Sequence, residues 1–350
     1  MTRRRSTRRA LSTARTHLQK RAVKAIGWLV FGYLVLKLLP GLRQALHSLE
    51  HVSWQWLVGA VALELLSETG YVLSWRSIVD PENLLERDGR GRRTASRAAW
   101  AQLGGGMLLP GGSLTSIGVG AWILRHFGMP SHTIAQRQFN LSFLNTAADA
   151  LALAVYGAGL AIGLFAGTPN LLLTLLPAAV ATVGIGIMLL IGRRAAVFAG
   201  RTRSDNPKLA SWIDPVAGAV GDTERILFHR GQLRSLAGAL GYLGFDQLVL
   251  FSAFFAINAH PLPSFPAVGM AYIIGALGGS IPLPGGIGAV GGIAGMLILY
   301  GVGHNAAIAA VLLYEAVGLL VPLIGGGVAY VVLRHQFGRM RTLQESPVPA

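Results

Sequence analysis

The stretch Leu108–Gly118, LLPGGSLTSIG, interrupts an apolar part of the chain with a proline and paired glycines, and Pro282–Gly292, PLPGGIGAVGG, repeats the interruption. Proline lacks the N–H donor of a helix interior and glycine disfavours helical continuation, so a helix is expected to break at each place. The breaks divide residues 97–126 and 266–301 into pieces of roughly 15 residues, which reach only about 22 Å as helices. Each stretch therefore predicts a re-entrant helical hairpin. Two short tilted spans, or one kinked helix, are the alternatives.

The composition is that of an integral membrane protein, since 52% of the 350 residues are hydrophobic and 13% are charged. A helix needs about 20 apolar residues to cross the hydrocarbon. Six segments satisfy this length: 23–41, 54–79, 136–165, 170–192, 235–258 and 305–333. The predicted fold is an all-α polytopic membrane protein with six full transmembrane helices plus two re-entrant helical hairpins.

The net charge of +15 comes from clusters of basic residues between the apolar runs. With the N-terminus inside, only Lys37 and Arg43 of the 30 Lys and Arg residues lie toward the exterior. The positive-inside rule then predicts a multi-pass protein of the cell inner (plasma) membrane with both termini cytoplasmic. The same rule requires that each hairpin cross the membrane an even number of times. Because its helical pieces are too short to span the hydrocarbon, the re-entrant form is favoured over two short crossings. Because the basic residues flank membrane spans, nucleic-acid binding is not expected.

The two interruptions belong to a longer repeat. Leu109–Gly112 recurs as Leu283–Gly286, 174 positions later, and Phe127-Gly128 is matched by Tyr300-Gly301, 173 positions later. Each unit, 54–165 and 235–333, is predicted as helix, broken hairpin and helix. Three full crossings separate the hairpins, so they enter from opposite faces as an inverted-topology repeat.

Inverted repeats with broken helices at mid-depth build the substrate site of many transporters. The two bends would place backbone donors, and the positive ends of helices beginning near Ser113 and Gly286, beside a cavity suited to a phosphate head group. Ser113 is also a candidate N-cap. Alternatively, the glycines only permit close helix packing. The candidate substrate-binding residues at the bends are Pro110, Gly111, Gly112, Ser113, Pro284, Gly285 and Gly286.

The domain boundaries follow from the same pattern. Lys24 and Lys37 in the first apolar run, and the lack of a small-residue cleavage site, favour an uncleaved first helix over a signal peptide. In the loop after the fourth span, an apolar helical face predicts an interfacial helix. The predicted segments are a disordered basic cytoplasmic tail (1–20), the first transmembrane helix and external loop (21–53), membrane repeat 1 (54–192), a cytoplasmic loop with the interfacial helix (193–234), membrane repeat 2 (235–333) and a cytoplasmic tail (334–350) that is disordered over 340–350.

Acidic residues inside predicted spans are candidate functional groups, because an ionisable group at bilayer depth is costly. No Lys or Arg is centrally placed to neutralise them. They are predicted to bind an amino head group or to carry protons. The alternative is a structural role as protonated, hydrogen-bonded contacts between helices. The histidine spacing predicts no metal site, and no cofactor is expected. The candidate residues are Glu64, Glu68, Asp149, Asp246 and Glu315.

Three stretches, PLPGGIGAVGGIAGMLILYGV, AAIAAVLLYEAVGLLVPLIGG and LPGGSLTSIGVGAWILRHFGM, resemble the transmembrane domain of the lysylphosphatidylglycerol synthase/flippase family over about Trp54 to Leu333. The resemblance implies a standalone flippase-like protein, and with the chain ending at Ala350 no aminoacyl-transfer domain is expected. The chain departs from the family pattern at several positions. Gly291 stands where relatives have glutamate and Glu315 where they have arginine. The arginine that follows the first Gly-Gly in relatives is absent here, and Asn145 and Thr146 replace an acidic–arginine pair, whereas Asp149 keeps the family's aspartate.

The sequence therefore predicts a lipid translocator that moves a phospholipid or lipid-linked head group. A membrane-embedded transferase acting on a phospholipid or polyprenyl-phosphate is one alternative, although no catalytic motif is present and the acidic loop 80–97 lacks an Asp-x-Asp. A non-catalytic partner subunit of a lipid or glycan enzyme is another. Membrane lipids are the expected partners, and a homo-oligomer is compatible with the sequence.

Overall fold

The computed structural model describes residues 52–86, 93–108, 113–165, 170, 172–187, 190, 233–277 and 287–345. Helices are the only regular secondary structure among these residues. They are α1 (Trp54–Val79), α2 (Thr94–Leu108), α3 (Ser113–His126), α4 (Ser131–Ala161), α5 (Leu172–Ile187), α6 (Leu233–Ala256), α7 (Phe265–Ala276), α8 (Ile287–Leu299) and α9 (His304–Glu345).

Four of these helices, α1, α4, α6 and α9, are long and apolar enough to cross a membrane. They coincide with four of the six predicted spans, which supports a polytopic membrane protein. Within the predicted span 170–192, the described residues include the shorter helix α5. The predicted span 23–41 and the predicted interfacial helix lie outside the described residues.

Helix α9 extends further than predicted. Its apolar part ends near Gln336, but the helix continues to Glu345. The prediction of disorder over 340–350 is therefore wrong for 340–345. Arginine, glutamine, methionine, leucine and glutamate in this segment favour the helical state, so polarity alone does not end the helix.

Helices α1 and α6 form an antiparallel pair at the centre of the bundle. The Ser53 N–H donates to the Ala256 carbonyl at 2.9 Å, and further along the pair Ser74 Oγ donates to the Ser235 carbonyl at 2.9 Å. Between them, a Cβ added to Gly70 would lie 2.5 Å from the Tyr242 nitrogen. Small residues bring the two backbones into contact, as is typical of helix pairs in membranes.

Two short-helix hairpins pack at opposite ends of this central pair. In the first, α2 contacts α3, and Arg76 near the end of α1 donates to Ser96 Oγ at the start of α2. In the second, α7 contacts α8, and their outer ends pack with Leu57 and Ala256 at the other end of α1 and α6. The start of α2 therefore lies near the end of α1, whereas α7 and α8 share an apolar cluster with Leu57 and Ala256 at the other end of the central pair.

The turns that follow the hairpins have the same geometry in both repeats. Gly128 and Gly301 have φ angles of 82° and 89°, which an L side chain rarely adopts. The next residue N–H reaches back five residues in each case, from Met129 to Leu124 at 3.2 Å and from Val302 to Leu297 at 3.0 Å. Each turn is a Schellman cap that ends one helix before the next long helix begins.

The contacts between helices are also related in pairs. Exchanging α1 with α6, α2 with α7, α3 with α8 and α4 with α9 turns each main contact into another observed one. For example, α2 packs on α9 as α7 packs on α4, and α1 packs on α4 as α6 packs on α9. The two repeats seen in the sequence therefore occupy corresponding places in the bundle.

Arginine side chains gather at the end of the bundle where α1 terminates, which we call the arginine end. Arg137 donates to the Val79 carbonyl at 2.9 Å, and Arg125 donates to Ser131 Oγ at 2.7 Å. Arg76 pairs with Glu86 at 3.3 Å. Trp54, at the opposite end, is 70% exposed. These arginine side chains make this end of the bundle strongly basic.

Candidate functional site

Helix α1 carries two glutamates one turn apart near its middle. Glu64 and Glu68 are buried, with 4% and 2% of their surface exposed. Their carboxyl groups interact with each other, and Oε2 of each has no hydrogen-bond partner among the described residues. Gly318 of α9 lies beside the pair, since a Cβ there would be 3.9 Å from Glu64 Oε1.

Asp246 of α6 lies at the same depth as these glutamates. Glu64 follows Trp54 by ten residues and Asp246 precedes Ala256 by ten, so each lies about 15 Å from the shared end of the α1–α6 pair. That distance is half of the hydrocarbon thickness of about 30 Å. Asp246 is buried, and its Oδ2 accepts hydrogen bonds from the Tyr272 hydroxyl and, at 3.3 Å, from the Tyr314 hydroxyl.

The remaining two acidic candidates meet at the same place. Asp149 of α4 and Glu315 of α9 are half-buried, and each carboxylate interacts electrostatically with Asp246. Both α1 glutamates also interact with Asp246. Four of the predicted acidic residues, on α1, α4 and α9, thus interact with the fifth, Asp246 of α6. We call this set the carboxyl cluster: Glu64, Glu68, Asp149, Asp246 and Glu315.

Four tyrosines surround the cluster, and the sequence reasoning missed them. The Tyr272 and Tyr314 rings meet edge to face with centroids 5.9 Å apart, and Tyr71 and Tyr242 are 5.4 Å apart. Their spacing carried a usable signal. Tyr71 follows Glu68 by three residues and Tyr242 precedes Asp246 by four, so each shares a helical face with an acid.

The carboxyl cluster has no basic partner in the described part of the chain. The charged groups that act on these carboxyls are the other carboxyls of the cluster. Uncompensated charge at this depth is costly, so the cluster needs protons or a cationic group to offset it. No three described His, Asp or Glu residues converge closely enough to hold a metal ion. The geometry suits proton exchange or contact with an organic head group.

A second buried polar group, nearer the arginine end, joins α1, α2 and α4. Trp75 Nε1 donates to Gln102 Oε1 at 2.8 Å. Gln102 and Gln138 exchange two amide hydrogen bonds of 2.9 Å each. We call these three residues the amide network. The sequence reasoning did not single them out, because glutamines inside apolar helices carry no charge to mark them.

The predicted Pro-Gly-Gly bends lie outside the described residues, which omit 109–112 and 278–286. The helices that follow them begin where the sequence predicted, at Ser113 for α3 and at Ile287 for α8. The depth of the bends, and any contact between them, remain predictions.

A comparison with protein families matches residues 24–326 to the lysylphosphatidylglycerol synthase TM region. The chain belongs to the lysylphosphatidylglycerol synthase transmembrane family. The resemblance inferred from the sequence motifs is thereby confirmed. A search of curated proteins found no match.

Family membership and the four apolar spans establish a multi-pass membrane protein related to lipid modification or translocation. The matched range includes the whole carboxyl cluster and both Pro-Gly-Gly stretches. Asp149 belongs to the first sequence repeat, on α4, and Glu315 belongs to the second, on α9. Both carboxyl groups interact with Asp246.

Proposed function

We propose that the protein is a lipid translocator, and not an enzyme, that carries the polar head group of a phospholipid or lipid-linked molecule past the carboxyl cluster. The observation that carries the proposal is the interaction of four carboxyl groups, from α1, α4 and α9, with the buried Asp246 of α6. Ionisable groups inside a membrane bundle mark substrate and ion pathways by default, because only a pathway gives them polar partners.

The helix arrangement supports an inverted repeat with two re-entrant hairpins. Equivalent helices α1 and α6 are antiparallel, and the two hairpins open at opposite ends of that pair. Helices α2 and α3 contain 15 and 14 residues, so each reaches only about 22 Å. In the proposed topology both bends turn inside the bilayer, which is tolerable where protein or a polar cavity surrounds them.

The bends complement the carboxyl cluster in charge. Backbone N–H groups at the starts of α3 and α8 provide partial positive charge, which suits a phosphate, while the cluster suits the cationic or hydroxyl part of a head group. A head group that carries both kinds of group would contact both regions. In the proposed orientation the arginine end is cytoplasmic, as the positive-inside rule requires.

The proposed function is tested with purified protein in vesicles that contain acyl-chain-labelled phosphatidylglycerol or phosphatidylethanolamine, with a quencher added outside. Asp246→Asn should abolish head-group movement and Glu315→Gln should reduce it. Glu82→Gln is the matched control, since Glu82 is an exposed carboxyl at the arginine end with an Arg137 partner at 3.6 Å. Wild-type movement in Asp246→Asn would refute the proposal, and turnover of a labelled donor by purified protein would favour a transferase.

The bends are tested separately because they lie outside the described residues. Replacing Gly111 and Gly112, or Gly285 and Gly286, by leucine should stop head-group movement while membrane insertion continues. The chain contains no cysteine, so single cysteines at Gly111 and Gly285 report depth without background labelling. Labelling by a membrane-impermeant reagent as fast as at an aqueous loop would contradict the re-entrant bends.

A further inference from the structure

The glutamate pair of α1 imposes a chemical requirement of its own. Glu64 and Glu68 lie one turn apart on α1, both are buried, and their carboxyl groups interact with each other. Two like charges at this spacing are costly to bury, and no basic residue in the described part of the chain offsets them. A proton held by the pair removes this repulsion.

The same pair has open acceptor positions. Oε2 of Glu64 and Oε2 of Glu68 are buried and have no partner among the described residues. Leaving a buried acceptor unpaired costs about 1–3 kcal/mol, so two at one place are a disfavoured arrangement for a purely structural contact. Gly318 of α9 places no side chain beside Glu64, where a Cβ would lie 3.9 Å from Oε1.

The groups around the pair are acidic or phenolic, and none is a described base. Asp246 is the nearest common neighbour, since it acts electrostatically on both glutamates. Its tyrosine donors come from α7 in the second hairpin and from α9, so the charge on Asp246 bears directly on the contact with that hairpin. The titratable groups that interact with the pair are Tyr71 on α1, Tyr242 and Asp246 on α6, and Tyr314 on α9. Asp246 in turn interacts with Tyr272 on α7, Glu315 on α9 and Asp149 on α4.

We propose that Glu64 and Glu68 form a proton-binding site whose occupancy is coupled to head-group movement. Release of a proton from the pair leaves two carboxylates one turn apart. The resulting repulsion, which no basic residue in the described part of the chain offsets, favours entry of the head group, and return of the proton favours its exit. The coupling rests on the proposed lipid translocation, whereas the proton site itself does not.

The proton site is tested by infrared spectroscopy of the purified full chain during a pH titration. Wild-type protein should show a buried protonated-carboxyl component. Glu64→Gln and Glu68→Gln should each reduce it, because a glutamine amide is neutral and carries no titrating proton, while the other three carboxyl groups of the cluster remain. Glu82→Gln should retain it. A spectrum unchanged in both cluster variants would overturn the proposal.

The coupling is tested in vesicles with an imposed pH gradient, a pH dye inside and acyl-chain-labelled phosphatidylglycerol or phosphatidylethanolamine in the membrane. The gradient should accelerate head-group movement by wild-type protein, and Glu68→Gln should lose this response. The coupling would be overturned if the pH gradient did not change head-group movement by wild-type protein, or if Glu68→Gln responded to the gradient equally. Neither outcome would contradict the proposed lipid translocation. No lipid movement at all, with the infrared component present, would refute the proposed function and support the proton site alone.

Discussion

In the amide network, Gln102 and Gln138 use both the oxygen and the nitrogen of their side chains, whereas in the carboxyl cluster Glu64 and Glu68 each keep one oxygen without a partner among the described residues. Both regions are buried in the bundle and both join several helices. A satisfied network fixes the positions of the helices that it connects. A cluster of carboxyl groups with unpaired acceptor oxygens contributes little to the stability of the fold unless a proton or a ligand is bound to it.

The difference separates scaffold from site. Trp75 and the two glutamines hold α1, α2 and α4 together at the root of the first hairpin. Asp246 instead links α6 to tyrosines of α7 and α9, so the second hairpin contacts the carboxyl cluster directly. We expect substitutions in the amide network to change stability and substitutions in the carboxyl cluster to change transport.

Gln102→Met should have the largest effect on stability. The substitution keeps side-chain length but leaves Trp75 Nε1 and the Gln138 amide without their partners, at about 1–3 kcal/mol for each buried group. Thermal unfolding in detergent measures the loss. Leu103→Met, a volume-conserving change of the next residue, is the control and should cost less. Equal melting temperatures for the two variants would show that the amide network is dispensable.

Asp80→Ala should have a moderate effect at the arginine end. Asp80 is buried and accepts the Leu84 and Leu85 N–H groups at 2.7 and 3.2 Å. Alanine leaves these two N–H groups without their acceptor. The free energy of unfolding should therefore fall by about 1–3 kcal/mol.

Asp80→Asn separates the hydrogen bonds from the charge. Burial raises the pKa of Asp80, against the lowering effect of the two N–H groups and of Arg137, so the neutral amide should cost less than alanine. The same detergent unfolding assay compares the two variants. An equal loss with asparagine and with alanine would mean that the charge, rather than the acceptor geometry, holds this loop.

Tyr314→Phe should have the smallest effect on stability. The change removes one hydrogen bond of 3.3 Å to Asp246 while the Tyr272 bond remains, for a loss of about 0.5–1.5 kcal/mol. Head-group movement should fall without disappearing, which a vesicle assay measures alongside unfolding. Full head-group movement combined with reduced stability would show that Tyr314 has a structural role and no role in transport.

The sequence predicted the features that stand out against an apolar background. Four spans follow from hydropathy, and the starts of α3 and α8 follow from the Pro-Gly-Gly breaks. The five acidic residues were found because charge inside a span is rare. Their convergence on Asp246 was not predicted, since it depends on how α1 and α6 are rotated where Gly70 meets Gly238. The glutamines and tyrosines were missed because uncharged polar residues are common in helices.

A side-by-side measurement of Asp246→Asn and Gln102→Met tests the division between site and scaffold most directly. Both variants are placed in the same vesicles, and head-group movement is expressed per folded molecule. We expect Asp246→Asn to lose movement with little change in unfolding, and Gln102→Met to unfold more easily while each folded molecule still moves lipid. Wild-type movement by folded Asp246→Asn would contradict the assignment of translocation to the carboxyl cluster.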